Sequence, residues 1–461
     1  MKGFLMSSMR TLLVNPPPAQ IVEAYDAPNY PHLGVAYLAA YLRSMRCSVS
    51  VLDAKMARMN IGDTVQMIDH AQPDLLGLTA YTPEIVHVAS LAREVKKRCS
   101  RIRVVLGGTH ASVLPRETLE EYPQFDAVIF GEGEITLYHL VEALNHSSPL
   151  EGIKGLAYRA NGLIHLGEPR PWNTALDDLP FPAWDLFPPT EHYLISVARG
   201  CPFRCIFCTR PLGNQVRARS PKSVTDEFRD LVTRYGAKRI TFTDETFGVN
   251  RRSTIEILDA IVDQGLSQGV RLDLHTRVDA VDEELLEKLK RAGCTAIGFG
   301  VESGNEEILR RSGKGITLHQ VRKSVAMTKR LGIRTKSYFI LGFPNETKRT
   351  AWDTINFARK LNTDSVSIGI MMPFPKTGIG EMIRRGEGGY RRLSTDWADY
   401  NKQTGAVVEL EGLGRRTLVL FQILGYLMCY LCNMRFRTFV GLARSRYRQV
   451  LRIGYNLVRR R

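Results

Sequence analysis

A chain of 461 residues, 44% hydrophobic and 24% charged, is long enough for two to four domains and too apolar for a disordered or collagenous polymer. Eight cysteines in that length exclude a secreted disulfide framework, and three of them crowd into eight residues, which favours a metal site in a reducing, cytoplasmic compartment. The net charge of +16 is mostly local: residues 412–461 carry eleven arginines, no lysine and no acid, leaving +5 for the first 411, so charge does not mark the whole chain as nucleic-acid-binding.

The N-terminal stretch has no signal-peptide cleavage pattern. Strands are expected at Thr11–Asn15, Ser48–Asp53, Leu75–Thr79, Arg103–Leu106 and Ala127–Phe130. Helices are expected at Val35–Ser44, Thr64–His70, Glu84–Arg98, Leu114–Glu121 and Ile135–Leu144. Alternation of strand and helix implies an α/β domain with a doubly wound parallel sheet, and the continuous apolar strands imply burial on both faces. Residues 1–150 are assigned to this domain. Residues 151–190 read as a hairpin, Gly155–Arg159 with Leu163–Leu166, followed by a Pro-rich linker bearing Trp172 and Trp184.

From residue 191 the alternation resumes. Strands are expected at Tyr193–Ala198, Arg239–Thr243, Arg271–His275, Ala296–Gly300, Thr335–Leu341 and Ser365–Met371. Helices lie between them, from Ser223–Tyr235 to Lys348–Leu361. Six such units suit a (β/α)6 partial TIM barrel over 191–385, with a helical C-terminal extension over 386–461. Within that extension Leu418–Cys432 is apolar for about 15 residues, short of the roughly 20 that a spanning helix needs, and reads as a buried or interfacial helix.

The chemistry is concentrated in Ala198-Arg-Gly-Cys-Pro-Phe-Arg-Cys-Ile-Phe-Cys208. Cys201, Cys205 and Cys208 are spaced C-x3-C-x2-C. Three thiolates on one loop hold three irons of a cubane and leave the fourth open. The bland alternatives are three buried thiols or a zinc site, and zinc asks for a fourth ligand close by. Gly200 lets the backbone turn after the strand. Cys429 and Cys432 form another C-x2-C, but in an apolar run where buried small side chains are the better reading.

This string resembles the signature of the radical S-adenosylmethionine (SAM) superfamily, with Phe207 as the aromatic residue before the last cysteine. The resemblance covers residues 193–375. It implies a [4Fe-4S] cluster whose open iron chelates SAM, and one-electron cleavage of SAM to a 5′-deoxyadenosyl radical. An electron donor such as flavodoxin or ferredoxin is implied with it. SAM contacts follow at the strand ends: Asp244 or Glu245 for the ammonium, although the superfamily's Gly-Gly-Glu form is absent. Arg277 suits the carboxylate or the substrate. Glu302 and Ser303 suit the ribose, the alternative for Glu302 being a cap on the helix near Asn305. Gly342 lies in the adenine-side loop. Lys376, in Pro373-Phe-Pro-Lys-Thr377, stands where relatives carry Gly.

Loops after the first-domain strands contain Asn15, Tyr81-Thr82, Gly107-Gly108 with His110, and Gly131-Glu-Gly133. Neither G-x-G-x-x-G nor a phosphate loop is present. With Pro31-His-Leu-Gly34 and Tyr37-Leu-Ala-Ala40, residues 10–145 resemble the cobalamin-binding domain that precedes the radical SAM domain in one large subgroup. The D-x-H-x-x-G string is missing, which implies cobalamin without a histidine ligand beneath cobalt. Asn15, Tyr81, Thr82, Gly107, Gly108, His110, Gly131 and Gly133 are the expected contacts, His110 having a satisfied loop histidine as its alternative.

The expected function is therefore a cobalamin-dependent radical SAM methyltransferase acting on an unactivated carbon of a small-molecule or lipid-like substrate. A non-methylating cyclase and a non-catalytic cofactor sensor are the alternatives; tRNA methylthiolation would need further cluster cysteines. Phe439, Val440, Ala443, Tyr447, Val450, Leu451 and Tyr455 recur at helical spacing among arginines, a basic amphipathic pattern. It reads as a peripheral membrane contact, an anionic-substrate contact or a solvated helix.

Overall fold

The computed structural model describes residues 9–19, 28–436 and 440. The chain forms two compact units, one running to Thr190 and including Pro211–Gly213, the other made of Glu191–Arg210 and everything from Asn214 onward.

The first unit is built on β1 (Thr11–Asn15), β2 (Val49–Asp53), β3 (Leu75–Thr79), β4 (Arg103–Gly107), β5 (Ala127–Ile129), β6 (Leu156–Ala160) and β7 (Leu163–Leu166). Their order in the sheet is β2-β1-β3-β4-β5-β6-β7. β1–β5 are parallel, while β6 and β7 add antiparallel at one edge. The hairpin expected between the domains is thus part of the first sheet. The helices are α1 (Leu33–Ser44), α2 (Ile61–Ala71), α3 (Ile85–Arg98), α4 (Thr109–Val113), α5 (Pro115–Glu121) and α6 (Glu134–Asn145). α1 packs beside α6 and α2 beside α3. That pairing follows from right-handed crossovers when the winding reverses at β1. All five β1 residues are buried, which is why Leu12, Leu13 and Val14 are uniformly apolar. The reversal leaves a crevice position beyond the carboxyl ends of β1 and β3, where sheets of this topology bind ligands.

The second unit is a six-stranded parallel sheet in unbroken chain order: β8 (His192–Ile195), β11 (Arg239–Phe242), β12 (Arg271–Thr276), β13 (Cys294–Glu302), β14 (Arg334–Leu341) and β15 (Ser365–Ile370). A separate short ribbon pairs β9 (Ala198–Arg199) with β10 (Arg217–Ala218). Between strands run α7 (Pro221–Thr233), α8 (Arg251–Asp263), α9 (Glu283–Arg291), α10 (Glu306–Arg311), α11 (Leu318–Arg330) and α12 (Lys348–Leu361). Ser220, Asn250, Asp282, Asn305, Thr317 and Thr347 cap them by accepting backbone N–H bonds. The expected strand Tyr193–Ala198 is broken in two. Asp244, at the end of β11, accepts from the Val197 and Ala198 amides at 2.7 and 3.2 Å and draws them out of the sheet.

The C-terminal part holds α13 (Gly378–Arg384), an antiparallel pair β16 (Tyr390–Arg392) and β17 (Val408–Leu410), and α14 (Arg415–Leu431). The extension is therefore not wholly helical: Gly388 and Gly389, both with left-handed φ, turn the chain into the ribbon. α14 covers the free edge of β15. Ile368 N–H donates to Tyr426 Oη at 3.0 Å and Val366 N–H to Tyr430 Oη at 3.0 Å. Each hydroxyl also donates to the same residue's carbonyl, at 3.2 and 3.3 Å. Gln422 Nε2 adds a bond to Ile368 O at 2.8 Å. One turn and a fraction of helix matches two residues of strand, so side chains four apart stand in for the next strand. The apolar segment Leu418–Cys432 is thus a sheet-edge helix whose outer face, with Leu420, Ile423 and Leu431, is exposed. Among the described residues no helix is long and apolar enough to cross a membrane. The basic amphipathic pattern of 439–455 lies outside the described residues except for Val440.

Candidate active site

The cysteine loop leaves β8 and β9 at the carboxyl end of the sheet. Gly200 has φ +90°, a conformation open to glycine, and starts the loop. Cys201 and Cys205 are half-buried and Cys208 is exposed. Cys201 Sγ lies 3.5 Å from Thr246 Oγ1, and Cys208 N–H donates to Cys205 O at 3.2 Å. The Cys208 thiol bonds the Cys205 sulfur, which lowers the Cys205 pKa to about 6 against the opposing effect of burial; the charges of Lys314 and then Arg277 lower it further. Sharing that proton with Cys205 pushes the Cys208 thiol upward. The loop is braced: Ile206 N–H donates to Ser312 O at 3.0 Å, and Ile206 O accepts from Ile379 N–H at 2.9 Å. Phe207 stands edge-on to Phe343 at 5.7 Å.

Around it the structure spends several side chains in ways the sequence did not show. Asp244 is buried on the Val197 and Ala198 amides, and burial lifts its carboxyl to about 7; its neighbour Glu245 is exposed. Arg277 lies 3.5 Å over the Phe203 ring, is bound by Asp279 at 2.9 and 2.8 Å, and donates to Lys314 O at 2.6 Å. Glu302 holds Lys314 Nζ at 2.7 Å; the cap on α10 is Asn305, not Glu302. Glu302 also has φ +73°, a strained conformation for a side-chain-bearing residue, worth about 1–3 kcal/mol and typical of functional sites. Ser303 is buried against Thr354 Oγ1 at 3.1 Å. Gly342 has φ +95°; its N–H is taken by Glu346, and its carbonyl accepts from Tyr390 Oη at 2.7 Å. Burial raises Glu346 to about 7. Lys314, Asp279 and Glu346 were missed because each is a single polar residue in a loop or helix turn, and Thr246 because the two acids before it drew the assignment.

In the first unit the expected contacts line the carboxyl ends of β1, β3, β4 and the turn after β5. Asn15 Nδ2 donates to Asp53 at 2.7 Å, and Asp53 also accepts from the His32 and Met56 amides at 3.2 and 2.9 Å. His32 caps α1 through Nδ1, and burial followed by the Lys55 charge lowers its pKa to about 4. Lys55 and Glu84 form a buried pair, and Glu84 accepts from Tyr81 N–H at 3.1 Å. Tyr81 itself is 49% exposed. His110 is buried beside Thr82 Oγ1 at 3.3 Å, and desolvation lowers its pKa to about 4, which keeps the ring neutral. Gly108 has φ +91°, and a Cβ there would lie 2.8 Å from Ala80 O. Gly107 ends β4 in register with Thr79. Gly131, φ +79°, donates to Ser112 Oγ at 3.1 Å, and a Cβ on Gly133 would meet Leu38 at 3.1 Å. Asp53, Lys55 and Glu84 were not anticipated, and His32 entered only as part of Pro31-His-Leu-Gly34, not as the cap it is; polar residues at strand ends beside the winding reversal were the available signal.

Comparison with known proteins follows this division. Residues 195–358 match the radical SAM superfamily and residues 20–141 the B12 binding domain. The chain is 35% identical over 385 residues to the uncharacterized methyltransferase PH0819 of Pyrococcus horikoshii, covering 82% of this chain and 83% of that one. The chain belongs to the cobalamin-binding radical SAM superfamily. It is also 30% identical to the anaerobic magnesium-protoporphyrin IX monomethyl ester cyclase of Rubrivivax gelatinosus, over 80% of this chain and 68% of the relative. The fold is that of the radical SAM methyltransferase TsrM from Kitasatospora setae, solved with cobalamin and a [4Fe-4S] cluster: TM-score 0.74 over 91% of each chain at 20% identity.

As a radical SAM enzyme of this kind, the protein works with a [4Fe-4S] cluster, SAM and cobalamin. The residues present fit the cluster: three thiols share one braced loop, one is easily ionised, and buried cations stand beside it. Among the described residues no three His, Cys, Asp or Glu converge on a point as the ligands of one ion do. A cubane asks for a wider set, since each thiolate takes its own iron. The first unit fits a large cofactor at its strand ends, where glycines keep the backbone bare and the buried histidine is neutral.

Proposed function

We propose that the protein transfers a methyl group to an unactivated carbon of a small-molecule substrate, with Cys201, Cys205 and Cys208 as cluster ligands. The observation that carries this reading is the loop itself: three thiols at the carboxyl end of a parallel sheet, in a chain whose other unit is a switch-point sheet of the B12-binding family. In this division of labour residues 1–150, with the edge hairpin that follows them, hold cobalamin, the Pro-rich stretch up to 190 links, 191–385 hold the cluster and SAM, and the described residues from 386 extend the second unit.

When bound, these groups supply a one-electron reductant, a carbon-centred radical and a transferable methyl group. The chain's own residues bind, orient and shield. Within the loop Phe203 stacks under Arg277 and Phe207 packs edge-on to Phe343, which fixes the two rings beside the cysteines. Glu245, exposed just beyond β11, is the acid assigned to a SAM ammonium, since Asp244 is committed to backbone amides. Glu302 keeps one oxygen on Lys314 and the other for the ribose, and the bare Gly342 backbone admits the adenine. Asn15, Tyr81, Thr82, Gly107, Gly108, Gly131 and Gly133 form the cobalamin edge, and His110 shapes that edge through Thr82. The electrons come from a donor of the flavodoxin or ferredoxin type. The exposed apolar face of α14, followed by the arginines of residues 441–461, supports a peripheral contact with an anionic membrane.

A second reading, oxidative ring formation without methylation, is favoured by the 30% identity to the cyclase. Anaerobically reconstituted protein given SAM, cobalamin and a chemical reductant separates them. We expect 5′-deoxyadenosine and a substrate gaining one methyl. Deoxyadenosine with a product that has lost hydrogen favours the cyclase, and cluster-loaded protein that never cleaves SAM refutes both.

A further inference from the structure

The turn Ser312-Gly313-Lys314 clasps the cysteine loop. Ser312 O accepts from Ile206 N–H at 3.0 Å. Gly313 has φ +71°, and a Cβ there would stand 2.9 Å from Arg204 O, so the two backbones touch as closely as glycine allows. Lys314 then turns inward. Its side chain is 8% exposed and lies 6.0 Å from the centre of the Phe207 ring, between the positions of Cys205 and Cys208 in the chain. Its partner Glu302, 9% exposed, is at 2.7 Å. Arg277 holds the Lys314 carbonyl, but its own charge is matched by Asp279.

Burying such a pair does not itself stabilise a fold; apolar residues of the same size often do as well or better. Here the pair is kept together with a strained backbone at Glu302. A buried ion pair on strained backbone, clamped to a loop of thiols, points to an electrostatic task. We infer that Lys314 is a positioning residue that holds the cysteine loop and places a buried positive charge beside the cluster, favouring its reduced form. The inference rests on the cluster reading of the three cysteines. Reduction adds one negative charge to a group already held by three thiolates, in a region where water screens little. Of the pair, Lys314 is the member that follows directly on the clasp, beside Phe207, while Glu302 holds it from the end of β13.

Full-length protein is reconstituted anaerobically as wild type, Lys314→Met, Lys314→Arg and Glu302→Gln, and iron, sulfide and the cubane spectrum are measured before redox titration. Lys314→Met with an intact cubane should be at least tenfold harder to reduce, about 59 mV lower for a one-electron couple. Lys314→Arg should stay within that interval of wild type. Glu302→Gln, which leaves the cation unopposed, should shift the other way. An intact Lys314→Met cluster at the wild-type potential overturns the inference, as does an arginine variant displaced as far as methionine. If Lys314→Met holds no cluster, Glu302→Gln decides: an upward shift supports the charge role, and none or a downward one overturns it. A wild type that never forms a cubane would instead refute the cluster reading.

Discussion

Tyr430→Phe removes one oxygen and should reveal how the second sheet ends. The hydroxyl accepts from Val366 N–H at 3.0 Å and donates to Val366 O at 3.3 Å, on the side of β15 that faces no strand. Both Val366 groups become unpaired in a buried place. At about 1–3 kcal/mol for each orphaned group, discounted for relaxation, the loss is roughly 2–4 kcal/mol. Tyr426→Phe is milder because Ile368 O still accepts from Gln422 Nε2 at 2.8 Å. Only Ile368 N–H is orphaned, for roughly 1–2 kcal/mol. Urea unfolding followed by tryptophan fluorescence reports the event, since Trp352 packs on Phe421 of α14. Midpoints should fall in the order wild type, Tyr426→Phe, Tyr430→Phe, with unchanged slopes. Two phenylalanine variants within 0.5 kcal/mol of wild type, a change roughly as small as surface substitutions give, would show that the hydroxyls do not seal the edge.

Asp244 and Glu346 are both lifted by burial to about 7, so the folded state holds protons that the unfolded state has released, and stability declines as pH rises from about 4 to 7. Asp244→Asn keeps the oxygen that takes both amides and removes the buried charge; it should flatten part of that decline in urea midpoints measured at pH 5 and 8, and an unchanged slope would count against it. His110, lowered to about 4, behaves oppositely: stability is lost as pH falls from about 6.5 to 4, and His110→Gln should weaken that acid loss. Gly108→Ala places a Cβ 2.8 Å from backbone and at φ +91°; cobalamin retention on gel filtration should fall severalfold while the cluster spectrum survives. Normal cobalamin retention would remove Gly108 from the site.

The parallel strands of both units were legible because burial on two faces writes long apolar runs. The broken strand after β8 was not, because its cause, Asp244, lies nearly fifty residues on and acts only through the fold. The ribbon β16–β17 was hidden by its three-residue strands. α14 was read as a buried or interfacial helix, and what it buries against was not legible; Gln422, Tyr426 and Tyr430 recur every fourth residue on the face that meets β15, and that polar stripe was the available sign. In the site, the cysteine spacing was explicit. Arg277 and Glu302 were singled out for SAM, but their partners Asp279 and Lys314 are ordinary charged residues in sequence, and the strain at Glu302 exists only as a backbone angle.

Electron paramagnetic resonance of the reduced, reconstituted protein with and without SAM addresses the open iron corner itself. Wild type should show a cubane signal that changes when SAM is added, and replacement of Cys201, Cys205 and Cys208 by alanine should abolish it. A signal indifferent to SAM, or one that survives the triple replacement, would contradict the assignment of the loop.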